Sequence, residues 1–393
     1  MTSGGYNSRS DRTSGGATEL WRAALVLGLA FASCAVVSAE SPATQPSGPV
    51  RLAVAGLCHG HVYVFLEDVF KRDDIDVVGM YDPAPELLER YGGRKGVPAA
   101  LRFRDLERML EQTRPEAVAV FTDTLDHLKV VQACAPRGIH VMMEKPFAVS
   151  LEAARAMERA AREGGIHLLV NYETTWYPNT HAAFDLMNNK KQLGKVHKMV
   201  IHDGHPGPKE IGMPREFLEW LVDPVRNGGG ALVDFGCYGA NLATWLMQCE
   251  RPMTVTAVTQ QIKTDPTYSR VDDEATIIVT WPRAQAIIQA SWNWPHNRKD
   301  ITIYGDNGSL ETIDRDMYRL RPRHAGEKLG RGEPLPAPAG DPLSYLVAVV
   351  RGRIAPQGLS SLKLNMIVEE ILQAARDSAR TGKTIRLPAD PAS

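Results

Sequence analysis

Residues 53–63 read AVAGLCHGHVY. An apolar run closes on Gly56, and after Gly60 the stretch His61–Lys71 places Val62, Phe65, Leu66 and Val69 at helical spacing. Strand, turn and helix in that order begin a dinucleotide-binding unit. Its fingerprint is Gly-x-Gly-x-x-Gly. Gly56 fits the first position, Cys58 takes the second and His61 the third, with an extra glycine at 60. The second glycine normally lets backbone approach a pyrophosphate, and a cysteine side chain narrows that gap. Asp82 ends the next strand (residues 76–81), where a carboxylate can bind a ribose diol. Taken alone, the stretch is also compatible with a plain strand–helix turn.

Outward from this turn the rhythm is regular. Apolar runs at 51–55, 76–81, 117–121, 139–143 and 166–171 alternate with helical periodicities at 61–71, 101–112, 125–137 and 151–163. Such alternation predicts a doubly wound parallel sheet. After residue 171 strand-like runs follow one another, at 196–202, 253–262, 275–281, 285–292 and 300–304, with helices at 180–188, 236–247, 342–351 and 362–381. The fold class is therefore α/β: a Rossmann domain over 50–170, then an α+β domain over 171–388 with a mostly antiparallel open sheet. The Gly/Pro-rich stretch 321–340 reads as a surface loop.

The chain has 393 residues, more than one hydrophobic core usually accommodates. A formal net charge of −1 leaves no basic surplus for nucleic acid or anionic membranes. Five cysteines show neither metal-ligand spacing nor a dense disulfide pattern. Arg22 precedes the apolar run AALVLGLAFASCAVV, of the length of a secretory signal, with Val37-Ser38-Ala39 as a cleavage site before Glu40. An uncleaved membrane anchor and lipidation at Cys34 are the alternatives. Residues 1–39 are thus expected to direct export to the periplasm or beyond, and 40–49 to be a linker.

Ligands of doubly wound sheets bind at the carboxyl ends of the strands. Gly56, Asp82, Thr122 and Lys145 all fall at such ends, so the topology puts them in one crevice. Lys145 belongs to Glu144-Lys145-Pro146, which closes the run Ile139–Met143. An ammonium there can hydrogen-bond a substrate hydroxyl and ease its deprotonation, with Glu144 orienting it. A second cluster is Gly228-Gly-Gly-Ala-Leu-Val-Asp234-Phe-Gly-Cys-Tyr238-Gly-Ala-Asn241. Asp234, Tyr238 and Asn241 are spaced to share one helical face. Tyrosine beside lysine can have a lowered pKa and exchange protons. Tyr172 and Trp176 follow the fifth strand and are expected to line the crevice. His59 and His61, with His202 and His205, lack a carboxylate nearby in sequence, so no metal is expected. Asp272-Asp273-Glu274 reads as a solvated strand start, and Trp292 and Trp294 as one face of a strand.

Glu144-Lys145-Pro146, the Thr122…His127 segment, Tyr172…Pro178 and GGGALVDFGCYGAN together resemble the Gfo/Idh/MocA family of nicotinamide-dependent oxidoreductases, over about residues 50–387. The resemblance implies NAD as cofactor, with NADP the alternative, held by Gly56, Cys58, His59, Gly60, His61, Asp82, Thr122, His127, Glu144 and Lys145. It also implies Lys145 as the catalytic lysine, and a homo-oligomer formed through the open sheet. Tyr238 and Asn241 in place of a His…Asp pair resemble the glucose–fructose oxidoreductase and xylose dehydrogenase branch, which implies Tyr238 as acid/base with Asp234 positioning it. The expected activity is hydride transfer at a carbinol of a sugar or polyol, with Tyr172, Trp176 and Asn241 on the substrate. Two alternatives stand beside it: glycoside hydrolysis through transient oxidation by a tightly held cofactor, and a non-catalytic binding protein.

Overall fold

The computed structural model describes residues 48–388. The expected export signal, its cleavage point, Cys34 and most of the linker lie outside them. Among the described residues no helix is long and apolar enough to cross a membrane.

Six strands form the first sheet: β1 (Val50–Ala55), β2 (Ile75–Tyr81), β3 (Arg102–Phe103), β4 (Ala117–Val120), β5 (His140–Glu144) and β6 (Leu168–Asn171). All pairings are parallel, in the order β3-β2-β1-β4-β5-β6. β4 is buried at every position, as expected of a strand covered on both faces. The covering helices are α1 (Val62–Val69), α2 (Leu106–Thr113), α3 (His127–Cys134) and α4 (Leu151–Gly164). α4 shows why these segments coil. Ser150 caps it by accepting from the Ala153 N–H, Gly165 ends it at φ 63°, and Ala154, Met157 and Ala161 make its buried stripe. Strand order reverses between β1 and β4, which opens the crevice at their carboxyl ends.

Nine strands form the second sheet: β7 (Val196–Gly204), β8 (Thr254–Gln260), β9 (Glu274–Thr280), β10 (Gln285–Ser291), β11 (Arg298–Gly305), β12 (Gly308–Thr312), β13 (Met317–Pro322), β14 (Lys328–Arg331) and β15 (Ile385–Arg386). Their order is β14-β13-β12-β11-β7-β10-β9-β8-β15. Only β7 and β10 run parallel. Burial alternates along β9 and β10, with Ala275, Ile277, Val279, Ala286, Ile288 and Ala290 inside. The second domain also carries α5 (Pro178–Phe184), α6 (Arg215–Leu221), α7 (Ala231–Asp234) and α8 (Gly236–Leu246); of the last two helices, α9 (Pro342–Val350) returns to the first sheet, where Leu343, Leu346 and Val349 share a core with Leu52, Val54 and Ala119, and α10 (Leu362–Thr381) follows it.

Two expectations need correction. Part of the 321–340 stretch is not loop: β13 and β14 form a hairpin that extends the sheet. Its outward arginines, Arg319 and Arg321, pair with Glu311 and Glu327, so the apolar alternation that signals a strand is absent. Nor is Asp272-Asp273 a solvated strand start. Asp272 accepts from the Gly230 and Leu232 N–H groups at 3.0 and 2.6 Å, and buried Asp273 accepts from Ile262 and Lys263 at 2.8 and 2.7 Å. A β-carbon at Gly230 would stand 1.9 Å from the Asp272 carbonyl oxygen, so the glycine run is required by this docking.

Candidate active site

β5 carries Lys145 to the mouth of the crevice, and the glycine turn held by Asp272 presents Asp234 against it. The Lys145 ammonium donates to Asp234 Oδ1, and to its carbonyl at 3.3 Å. Trp292 donates to the other carboxylate oxygen at 3.0 Å. Both members of the pair are nearly sealed, with side chains 6% and 3% exposed. Burial opposes charge on each, but mutual attraction wins: Lys145 is held above, and Asp234 below, its ordinary value. Glu144 points the other way. Its Oε1 accepts from Asn171 at 2.7 Å, Asn171 accepts from the Trp176 indole at 2.9 Å, and Oε2 stands 3.0 Å from His61 Nδ1.

Tyr238 lies on α8 beside this pair. Lys145 Nζ sits 5.1 Å from the centre of its ring, a cation–π contact. Burial, reinforced by the Glu173 carboxylate, pushes the phenol well above its usual pKa. The lowered pKa expected of a tyrosine beside lysine is therefore not found: desolvation decides, and Tyr238 keeps its proton. Asp234 ends α7 and Tyr238 begins the following helix, so the single helical face drawn through Asp234, Tyr238 and Asn241 is broken at Phe235. Asn241 turns away from the crevice and donates to Leu359 O and Asn365 Oδ1 at 2.9 and 3.2 Å, against α10. Tyr172 is buried behind Tyr238, ring to ring at 5.4 Å, and lines neither cavity beside the Lys145–Asp234 pair and Glu144. His127 is likewise sealed, with Nδ1 3.1 Å from Phe147 O.

A cavity of about 750 Å³ is lined by His59, His61, Lys145, Asp234 and Tyr238. Three more of its wall residues are Glu173, His205 and Lys299: His205, just past β7, drew notice only as a metal ligand, while Glu173 in a turn and Lys299 on β11 carried no signal, because the fold alone brings them here. His205 is neutral: burial lowers its pKa to about 4. A second cavity of about 650 Å³ shares His61, Glu173 and Tyr177 with the first, and Trp176 forms part of its wall.

The dinucleotide turn is covered. α6 lies across it, with the Trp220 indole donating to Cys58 O at 3.3 Å and the Phe217 ring edge-on to His59 at 4.9 Å. Glu216 on the same helix accepts from Arg90 and, at 3.2 Å, from the Tyr91 hydroxyl. Most amides of the turn are engaged within the chain. Leu57 donates to Asp82 at 2.7 Å, His59 to Phe121 O at 3.0 Å, and His61 to His59 Nδ1 at 3.2 Å. Beyond α6 an outer pocket of about 490 Å³ is lined by Gly56, Cys58, Asp82 and Thr122. Gly56 is required there: its φ is 83°, and a β-carbon would lie 2.4 Å from Thr122 N.

The residues fit a nicotinamide dinucleotide at both ends. Asp82 stands at the strand end of the outer pocket, although it already accepts from Leu57 and Ala84. In the inner cavity His59 Nε2 is buried without a partner. His59 Nδ1 accepts the His61 amide, which leaves the proton on Nε2 and makes the ring a donor toward a ligand. His59, His61 and Glu144 converge within 4.8 Å, so the fold does supply a carboxylate to the two histidines. In this tautomer the His59 ring offers no lone pair to a metal.

A two-domain oxidoreductase with a dinucleotide-binding amino-terminal half is what this architecture defines. The comparisons agree. The model of the oxidoreductase family with NAD-binding Rossmann fold matches residues 50–172, and that of the GFO/IDH/MocA C-terminal domain matches 185–311. The chain belongs to the Gfo/Idh/MocA family, and its first domain is that family's NAD-binding domain. It is 22% identical over 317 residues to scyllo-inositol 2-dehydrogenase (NADP(+)) IolU of Bacillus subtilis, covering 79% of this chain and 92% of that one. With D-apiose dehydrogenase of Paraburkholderia graminis it shares 25% identity, but the match spans only 33% of this chain and 40% of the relative. Among solved structures, aldose-aldose oxidoreductase from Caulobacter crescentus complexed with glycerol has a TM-score of 0.74 at 22% identity, over 86% of this chain and all of that one.

Proposed function

We propose that this protein is an NAD-dependent oxidoreductase acting on a ring carbinol of a sugar or polyol. The observation that carries the reading is the sealed Lys145–Asp234 pair beside Tyr238, at the strand ends of the dinucleotide crevice. Bound nicotinamide supplies the hydride acceptor or donor. Lys145 holds a cation beside the reacting oxygen and stabilises the charge that develops there. Asp234, fixed by Trp292, keeps that cation in place. Tyr238 keeps its proton and can donate it to the oxygen when a carbonyl is reduced.

NAD is preferred over NADP in this reading. The outer pocket gathers Asp82, Glu86, Asp123, Asp126, Glu216 and Glu219 against Arg90, Arg215 and Arg226, a balance that disfavours a 2′-phosphate. A substrate screen with NAD and neutral sugars and polyols tests the activity. Turnover that disappears in Lys145→Met supports it; full activity in that variant contradicts it.

One observation favours glycoside hydrolysis by transient oxidation as a second reading: α6 closes over the turn, which suits a cofactor that is retained and recycled in place. Product analysis separates the two, since a released aglycone marks hydrolysis and a lactone or ketone marks net oxidation. Export and oligomerisation remain proposals. Val258 and Tyr304, 63% and 44% exposed on the open sheet, suit a face that meets a second copy.

A further inference from the structure

Two ion pairs flank one tyrosine in the inner cavity. Lys299 Nζ lies 4.9 Å from the centre of the Tyr238 ring, and Lys145 Nζ lies 5.1 Å from it. Lys299 donates to Glu173, which also accepts from the Tyr177 hydroxyl. The three come from two elements. Lys299 is on β11, in register with Asp203 of β7, and Glu173 and Tyr177 flank the turn after β6. The Lys145–Asp234 pair accounts for the reacting oxygen; that chemistry uses Glu173 only as a charge that helps keep Tyr238 protonated, and Lys299 and Tyr177 not at all.

We propose that Lys299, Glu173 and Tyr177 form a second hydroxyl-binding subsite, which fixes the hydroxyl next to the reacting one and so selects a neutral vicinal diol. The proposal rests on the oxidoreductase reading above. Its chemistry is that of a hydroxyl, which both donates and accepts: the ammonium donates, while Glu173 and the phenol oxygen of Tyr177, whose one proton is given to Glu173, accept. The Lys299 ammonium and the Tyr177 hydroxyl hold the half-exposed Glu173 ionised, at a pKa of about 2. Charge balance decides against an anionic substrate. Each lysine is neutralised by its carboxylate, Arg298 pairs with Asp300, and Asp314 and Arg315 offset one another on the rim. A sugar carboxylate would meet no uncompensated cation on this wall. Its own charge would lie near Glu173.

The subsite can be tested with the full chain by calorimetry, first screening myo-inositol, methyl glucosides and aldopentoses in the presence of NADH. The best binder is then compared with its deoxy analogues in wild type and in Lys299→Met. The expected result is a loss of about tenfold for the parent in Lys299→Met and a similar loss for one deoxy analogue in wild type, with no further loss when both are combined. Tyr177→Phe should show a smaller loss of the same pattern. Glu173→Gln should weaken glucose but improve glucuronate relative to it, because that wall then carries net positive charge. Parent affinity unchanged in Lys299→Met, or losses that simply add, overturns the subsite and leaves the oxidoreductase reading standing. A wild-type protein that binds no polyol at all overturns both.

Discussion

The Trp220 indole donates to the Cys58 carbonyl at 3.3 Å, tying a helix of the second domain to the dinucleotide turn of the first. With Phe217 against His59 and Glu216 on Arg90 and Tyr91, α6 divides the crevice into an outer pocket and an inner cavity. A dinucleotide that spans both would have to pass this helix, which could then hold it in place.

Loosening α6 therefore speeds cofactor exchange. Glu216→Gln removes the charge that the half-exposed Arg90 meets, a surface ion pair worth up to about 1 kcal/mol, so NADH release should quicken roughly two- to fivefold. Stopped-flow fluorescence of NADH displaced by excess NAD measures it. Equal release rates in the two proteins would show that α6 does not retain the nucleotide.

Removing Lys145 should damage stability as well as turnover. Lys145→Ala leaves Asp234 charged and buried without its partner, a loss of about 3–5 kcal/mol by denaturant titration. The double variant Lys145→Met with Asp234→Asn should recover much of that stability while remaining inactive. This outcome separates the structural from the chemical share of the pair.

Tyr238 governs direction through pH. Its phenol pKa is raised, so at neutral pH it stands ready to donate and is rarely able to accept. Carbonyl reduction should be nearly flat from pH 6 to 9, whereas oxidation should climb through that range without a plateau. Tyr238→Phe should lower both rates by about 10²-fold, the usual contribution of a positioned acid or base, and abolish the slope for oxidation.

His205 adds an acid sensitivity. Its folded pKa of about 4 lies below the ordinary value of 6.5, so the unfolded chain binds the extra proton first. Stability is then complete above about pH 6.5 and falls as pH drops toward 4, by up to ~3 kcal/mol from this residue. His205→Gln should reduce the slope of urea-derived stability against pH in that window.

Much of the first domain was legible because its signals are local. β1, the turn and α1 are read from adjacent residues, and the placement of Gly56, Asp82, Thr122 and Lys145 at strand ends follows from topology alone. The second domain was legible as strands and helices but not as a site. Lys299 and Glu173 meet only because β11 and the turn after β6 come together across the cavity. Asn241 was misplaced because its spacing from Tyr238 within α8 cannot show that Leu359 and Asn365, distant in sequence, take its amide away from the crevice. The ionisation of Tyr238 was misjudged because burial cannot be read from a neighbouring lysine.

The most direct test of the oxidoreductase account is to purify the chain without added nucleotide, denature it, and identify by absorbance and mass what is released. The account predicts a nicotinamide dinucleotide, NAD rather than NADP, near one per chain, or an empty protein that takes up NAD when titrated by calorimetry. A protein that releases no nucleotide and binds neither NAD nor NADP would contradict it.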